Sequence, residues 1–319
     1  MWFSFGLIRC LKSCKQLFVL LTFILCGLSC FAQQDKMFTQ FLNYPSGINP
    51  AYSGSRDAFQ FLGITRKQWV GIDGSPTSSV FSVNSPINFF NLGLGLTFES
   101  DKIGREKNNE VEFDISYKIQ LFNGTFLNLG IKSGFSNYKV DLMNARVVDH
   151  NDQLLQGNIN KGWVPHFGVG AYCYGKRYFV GFSIPQLFQN ESSGGWLMSS
   201  SLDRERLHYY LMAGYLLPLT PSLQLKPSLL VKASEASNFS YDISSVFILF
   251  DRLWLGGSYR NEDAFAAIVQ FNISSQLKLG YSYDIGIAKL SGRSYGSHEF
   301  TLSFDLALSD HKIRSPRYF

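Results

Sequence analysis

The stretch His298–Leu308 reads HEFTLSFDLAL and alternates strictly between two kinds of side chain. One face is apolar and consists of Phe300, Leu302, Phe304, Leu306 and Leu308. The other face is polar or small and consists of Glu299, Thr301, Ser303, Asp305 and Ala307. Because successive side chains of a strand point to opposite sides of the sheet, the alternation predicts a β-strand with two unlike faces. Its length suits a tilted membrane-spanning strand of about 9–11 residues, although a half-buried strand of a soluble sandwich would show the same pattern.

The preceding chain contains further segments of this kind. From Ala58 onward we place fourteen strands at roughly 58–66, 77–87, 91–101, 109–121, 125–138, 163–174, 176–184, 206–217, 222–232, 238–250, 252–260, 263–273, 275–285 and 298–308. Charged side chains recur on one face of 109–121, 222–232 and 275–285, and the opposite face is apolar. This recurrence favours a hydrated lumen over a dry sandwich core.

The connections favour a closed barrel. Short turns follow the even-numbered strands, and among them Asn123-Gly124 suits a type I′ hairpin. Longer connections mostly follow the odd-numbered strands, at 67–76, 102–108, 139–162, 185–205, 233–237 and 286–297. An even number of strands with both ends on the short-turn side is the layout of outer-membrane barrels. The sequence therefore predicts an all-β, antiparallel, up-and-down transmembrane β-barrel over residues 58–308, with short periplasmic turns and long extracellular loops.

The first residues differ from the rest of the chain. A positive region with Arg9, Lys12 and Lys15 precedes the apolar run Leu17–Leu28, and small residues at Cys30 and Ala32 suit a cleavage site. This pattern predicts a secretory signal peptide over 1–32 and export to the outer membrane. A lipoprotein signal with Cys30 as the acceptor matches less well. Cleavage would lower the formal net charge from +5 to +2, and nothing in that balance indicates a nucleic-acid partner.

Two segments lie outside the predicted barrel. Residues 33–57 show no strand pattern, and Met37–Leu42 could form one amphipathic helical turn that ends at Pro45. We assign 33–57 to a periplasmic N-terminal segment and 309–319 to a periplasmic C-terminal tail. After cleavage Cys173 would be the one cysteine left, so an internal disulfide is not expected.

The residues indicate no enzymatic site. Gly292–Gly296 matches the G-x-S-x-G pattern of hydrolases, but Ser294 lies between two predicted strands rather than on a strand-to-helix turn. The histidines show neither the spacing of a zinc site nor cysteine partners. We therefore expect no catalytic residue, no metal and no cofactor.

The polar faces of the predicted strands supply candidates for a binding lumen. They are Glu112, Asp114, Lys118, Lys132, Lys226, Lys232, Asp242, Lys278 and Asp305, with Asp284 on the same kind of face. One interpretation is that they pair with one another across the barrel and keep a polar interior satisfied. The other is that this mixed-charge surface holds a guest polypeptide.

Short motifs spread over the chain resemble the PorP/SprF family of type IX secretion system outer-membrane proteins. They include Asn49–Ser55 (NPAYSGS), Gln68–Pro76 (QWVGIDGSP), Asp101–Gly104 (DKIG) and Pro165–Gly170 (PHFGVG). The positions that carry the resemblance are Asn49, Pro50, Tyr52, Gly54, Trp69, Gly71, Asp73, Gly74, Asp101, Gly104, Pro165, Gly168, Pro185, Asp284, His298 and Glu299.

The resemblance implies a non-enzymatic barrel of the type IX secretion and gliding machinery. Such a protein supports export and surface anchoring of a partner by binding the C-terminal domain of a secreted surface protein. Periplasmic ring or lipoprotein components of the machinery and outer-membrane lipid are the other implied partners. The alternative is a passive channel or small-molecule transporter, because one fold can host either function.

Overall fold

Fifteen antiparallel strand segments form the wall of the protein. The structure is a computed structural model and describes residues 36–122, 124–142, 158–189, 207–234, 239–287 and 294–307. The segments are β1 Ala58–Lys67, β2 Thr77–Ile87, β3 Leu92–Ile103, β4 Glu106–Gln120, β5 Phe126–Val140, β6 Ile159–Tyr174, β7 Tyr178–Gln189, β8 His208–Tyr215, β9 Leu217–Thr220, β10 Leu223–Ser234, β11 Ser240–Leu249, β12 Leu253–Arg260, β13 Ala264–Asn272, β14 Leu277–Gly286 and β15 Ser297–Ala307. No helix among these residues is long and apolar enough to cross a membrane.

The wall closes on itself between its first and last strands. β1 pairs with β15 from Ala58 opposite Ala307 to Lys67 opposite His298. β8 and β9 both pair with β10, so the two segments occupy one position in the wall. The barrel therefore has 14 strands, and the predicted fold class is confirmed. An unpaired edge of β1 or β15 would expose backbone N–H and C=O groups that lipid cannot satisfy. The pairing of the two strands removes both edges.

The two faces of the closing strand lie as the alternation predicts. Phe300 is 55% exposed on the outside, whereas Glu299 is fully buried inside. The same division holds in β4, where Phe113 and Ile115 are exposed and Asp114 is buried. An apolar outer band around a polar interior is typical of membrane barrels.

Several strands run further than the sequence predicts. The expected loop 102–108 is a tight turn at Gly104 and Arg105, because β3 extends to Ile103 and β4 begins at Glu106. β5, β6 and β7 are also longer at their long-loop ends. The predicted boundaries were placed where apolar alternation stops. Backbone pairing continues past that point, because ladder hydrogen bonds do not require apolar side chains.

The segment before β1 lies inside the barrel. Residues 36–57, here called the plug, contain short helical turns at Phe41–Asn43, Pro45–Ile48 and Pro50–Tyr52. Phe41 and Tyr52 pack in a buried cluster with wall residues such as Tyr172. Described residues of the predicted periplasmic segment 33–57 thus fold with the wall instead of standing apart from it. The reason is chemical: the plug's backbone polar groups find partners on the polar inner face.

Candidate functional site

The plug spans the lumen from one end to the other. Near its start, Lys36 Nζ lies 2.6 Å from Glu99 and 3.2 Å from Glu110, in the half of the barrel nearer the long loops. Near its end, Arg56 lies 2.8 Å from Asp305, close to the short-turn end where β1 begins. The chain therefore descends through the lumen before it enters the wall.

A group of three buried charged residues holds the upper part of the plug. Arg66 on β1 lies 2.6 Å from Asp284 on β14 and 3.0 Å from Glu299 on β15. We call these three residues the upper clamp. The backbone N–H groups of Thr39 and Gln40 each donate to Glu299 at 2.8 Å, and the Thr39 hydroxyl donates to Asp284 at 2.7 Å. One guanidinium carries a single positive charge and cannot balance two buried carboxylates. The N–H and hydroxyl donors of the plug supply the further hydrogen bonds that these carboxylates need.

A second charged group grips the middle of the plug. Lys132 Nζ is buried 2.6 Å from Glu112 and also donates to the carbonyl oxygens of Ser46 and Gly47, at 3.3 and 3.2 Å. His166 Nε2 lies 3.4 Å from the other oxygen of Glu112. Above this group the Tyr44 hydroxyl donates to Glu99 at 2.5 Å. Wall charges thus bind plug backbone as well as plug side chains.

The lower part of the plug lies directly against the wall backbone. The Asn49 amide donates to the Ala171 carbonyl at 2.9 Å, and its side-chain oxygen accepts from the Ala51 N–H at 3.0 Å. A Cβ atom on Gly170 would lie 2.1 Å from that Asn49 oxygen, and one on Gly93 would lie 2.0 Å from the Ser53 carbonyl. Glycine at these wall positions is therefore what lets the plug backbone approach.

A basic region lies beside the foot of the plug. Lys278 stacks on the Trp254 ring with 4.3 Å from its Nζ to the ring centroid, and Lys226 lies 5.5 Å from the same centroid. Lys118 lies 3.8 Å from Asp57. These contacts place one aromatic ring and three lysine side chains near the short-turn end of the lumen.

The structure places the predicted lumen residues on the inner face. The fully buried ones are Glu112, Asp114, Lys132, Lys226, Lys232 and Asp242, and the half-buried ones are Lys118, Lys278 and Asp305. Some pair along the wall, as Asp242 does with Arg260 at 3.1 Å, and Lys232 lies 5.8 Å from the centre of the Tyr210 ring. Others contact residues 36–57, so the polypeptide that these side chains hold in the structure is the chain's own N-terminal segment.

Part of the family motif forms the seat of the plug, and part lies at the outer rim. Asn49, Pro50, Tyr52 and Gly54 belong to the plug, and Asp284 and Glu299 belong to the upper clamp. At the rim, the Tyr295 N–H donates to Val70 O at 2.7 Å and the Val70 N–H donates to Gly296 O at 2.9 Å. The loop with Trp69, Gly71, Asp73 and Gly74 is thereby tied to the segment before β15. The Gly104 N–H donates to Gly74 O at 2.8 Å and joins the β3–β4 turn to the same rim.

The remaining motif residues support the wall. Asp101 is buried on the inner face and accepts a hydrogen bond from Ser78. The Pro185 carbonyl lies against Gly168, beside a register shift between β6 and β7, and Pro165 lies opposite Phe135. His298 lies 2.8 Å from the Tyr281 hydroxyl. Of the G-x-S-x-G stretch, Gly292 and Arg293 lie outside the described residues, and Ser294 precedes a strand rather than a helix.

Several residues of the plug seat were not predicted from the sequence. Arg66, Glu99 and Glu110 lie on the inner face of their strands, and strand alternation alone could have identified that face. Thr39, Gln40 and Ser53 carry no such signal, because the plug has no regular period.

Comparison with known proteins supports the family assignment. The sequence model of the family described as "Type IX secretion system membrane protein PorP/SprF" matches residues 30–304, which confirms the resemblance seen in the motifs. No curated protein sequence matches the chain.

Solved barrels are similar in fold alone. The "CymD monoaromatic hydrocarbon channel" is 10% identical with a TM-score of 0.46, over 84% of this chain and 93% of that one. A FadL homologue from Pseudomonas aeruginosa is 11% identical with a TM-score of 0.42, over 79% and 89%. The NanC porin is 9% identical with a TM-score of 0.37, over 79% and 100%. Likeness at this level carries no argument about function.

Proposed function

Because the chain belongs to the PorP/SprF family of type IX secretion system membrane proteins, we propose that it is a non-enzymatic outer-membrane platform. In this proposal the barrel supports export and surface anchoring of a secreted protein by binding that protein's C-terminal domain at its extracellular rim. The observation that carries the proposal is the plugged lumen.

The plug argues against a passive channel. Buried charges that would line a conducting path, such as Lys132, Glu99 and Glu299, are engaged by residues 36–57. Withdrawing the plug would remove the hydrogen-bond donors of Thr39 and Gln40 from Glu299 and Asp284, and these two carboxylates would then share the Arg66 guanidinium alone. A plug held in this way is expected to stay in place, so a guest would bind outside the lumen.

The rim offers a suitable surface for that guest. Tyr295 is 77% exposed, and its ring lies over Gly71 in the segment that the Val70 hydrogen bonds hold. An exposed aromatic side chain on a rigid backbone is the kind of residue that dominates protein interfaces. The two longest loops begin and end at the same rim, because they follow Val140 and Gln189, at the long-loop ends of β5 and β7. Most of their residues lie outside the described part of the chain.

Co-purification tests the cargo proposal. The barrel is isolated in mild detergent from a secreting strain, as the natural sequence and as Tyr295→Ala. We expect a secreted C-terminal domain to accompany the natural protein and to fall by about tenfold with Tyr295→Ala, as for a hot-spot residue. Phe250→Ala is the matched control, because Phe250 is 73% exposed at the opposite end of the barrel. Absence of any secreted C-terminal domain from the natural protein contradicts the proposal.

Planar-bilayer conductance distinguishes the platform from a channel. A plugged barrel is expected to be silent, whereas a constitutively open current would favour the transport alternative.

Contact with the periplasmic machinery is the other part of the proposal. β15 ends at Ala307 on the short-turn side. The predicted tail 309–319 lies outside the described residues. We assign it contact with ring or lipoprotein components, which truncation after residue 308 followed by affinity capture would test.

A further inference from the structure

Four lysines form a connected row on the outside of the barrel. Lys67 on β1 lies opposite Thr77 on β2, Thr77 lies opposite Lys102 on β3, and Lys102 lies opposite Lys107 on β4. Lys107 in turn lies opposite Lys139 on β5. We call these four residues the lysine row, and all four are exposed.

Strand alternation fixes the direction of the row. Arg66 and Asp101, which precede Lys67 and Lys102, are buried on the inner face. Neighbouring residues of a strand point to opposite sides, so the two lysines face outward. Directly paired residues of an antiparallel sheet share a face, which extends the assignment to Lys107 and Lys139.

Adjacent lysines in the row repel one another. Lys107 lies directly opposite both Lys102 and Lys139, where Cβ atoms are about 4.5–5.5 Å apart and like charges destabilise the sheet. Exposed Arg105 in the turn adds another cation, whereas Glu106, next to Lys107, and Asp141, two residues beyond Lys139, are the two nearby carboxylates. Glu110 does not offset the row, because it faces the lumen and contacts Lys36. The arrangement therefore has an excess of positive charge that a bound anion would relieve.

The height of the row indicates which anion. Four residues closer to the membrane, the paired outward positions are apolar: Phe81, Phe98, Val111 and Phe135. A polar row with Ser100 and Asn109 lies between the two. Four residues span about 13 Å along a strand, so the lysines stand just above the apolar band. Because strands of such barrels tilt by about 35–45°, the row climbs obliquely through the headgroup region.

We propose that the lysine row binds phosphate groups of lipopolysaccharide in the outer leaflet. The row faces sideways, toward lipid, rather than toward the lumen or the rim. Each lysine ammonium can bind a phosphate oxygen as a compact point charge. A shared phosphate would turn the repulsion between Lys102, Lys107 and Lys139 into a set of attractive contacts.

Binding of lipid A to the purified full-length protein in detergent tests the proposal. The probes are bis-phosphorylated lipid A, the same lipid A without phosphates, and inorganic phosphate. We expect the natural protein to bind the phosphorylated lipid and not the dephosphorylated one. The triple variant Lys102→Gln/Lys107→Gln/Lys139→Gln should bind it about 10- to 100-fold more weakly. Lys176→Gln, at an exposed lysine in the turn at the opposite end, should bind as the natural protein does.

Three outcomes would overturn the proposal. They are undiminished binding by the triple variant, equal binding of dephosphorylated lipid A, and saturation by inorganic phosphate at the same concentrations. Without lipid the triple variant should unfold no earlier than the natural protein, because its like-charge contacts are gone. Should it fail to fold, Lys107→Gln alone gives the test, with an expected loss of about 5-fold.

Discussion

Arg66 and Glu299 lie directly opposite each other across the seam where the first strand meets the last, and their side chains are 3.0 Å apart. The same carboxylate accepts the backbone N–H groups of Thr39 and Gln40 from the plug. Barrel closure and plug seating therefore depend on one buried group. This link makes Glu299 the position at which stability and lumen occupancy are most directly coupled.

Glu299→Gln should strongly destabilise the protein. The amide keeps the shape of the side chain but leaves Arg66 without this charge partner and gives the plug amides a weaker acceptor. Breaking a buried ion pair costs about 3–5 kcal/mol. Urea unfolding in detergent measures the loss, and Glu262→Gln, at an exposed turn position, is the control that should change little. Equal stability of the two variants would contradict the role of the clamp.

Two neighbouring positions test the assignment of the faces. Phe304 points outward and Ser303 is buried inward, so the same change to aspartate meets lipid at one and the lumen at the other. Phe304→Asp should lower the free energy of unfolding by about 1–2 kcal/mol or more, because a charge on the lipid face is penalised. The folded fraction should fall accordingly. Ser303→Asp should be tolerated. Heat-modifiable migration on gels measures the folded fraction, and the reverse order of effects would show that the faces are exchanged.

Gly93→Ala should displace the lower plug and leave the wall intact. The added Cβ would lie 2.0 Å from the Ser53 carbonyl, a backbone atom that cannot simply rotate away. We expect faster protease cleavage within residues 36–57 and the appearance of ion conductance. Gly63→Ala is the matched control, because no atom beyond its two chain neighbours lies within 4 Å of its added Cβ. Unchanged protease resistance in Gly93→Ala would mean that the plug is not seated on this glycine.

Asn49→Ala should loosen the plug locally. It removes the bond to the Ala171 carbonyl and the cap on the Ala51 N–H. Losing such a cap costs about 0.5–2 kcal/mol. Hydrogen exchange at plug amides should therefore accelerate by about 10-fold, whereas wall amides keep their protection. Asn88→Ala, at an exposed turn residue, should leave the plug amides unaffected.

The wall could be predicted from the sequence because its signals are local. Alternation in strands such as β4 and β15 defines two faces, and the turn residues define the order of pairing. The ends of β3 and β4 were wrong, since Lys102 and Lys107 continue the ladder without apolar side chains. Strand ends depend on backbone pairing, which leaves little trace in residue type.

The plug could not be predicted because its partners are distant in sequence. Thr39 and Glu299 are 260 residues apart in the sequence, and they meet in space only because the barrel closes. Glycines inside strands, such as Gly93 and Gly170, often mark a close approach of another backbone, but nothing in the sequence identifies the segment that approaches. The charged residues of the lumen were also predicted, but the sequence did not show that residues 36–57 occupy the lumen.

The direction of the plug has a consequence for how the molecule is made. Lys36 contacts Glu99 in the half nearer the long loops, whereas Arg56 lies at the opposite end next to β1. If the wall closed first, residues 36–57 would have to be threaded through the closed barrel from one end to the other. No threading is needed if the sheet curls while the plug already lies against it. Because Glu299 contacts both Arg66 and the plug, we expect the pairing of β1 with β15 to form last, after the sheet has curled around residues 36–57.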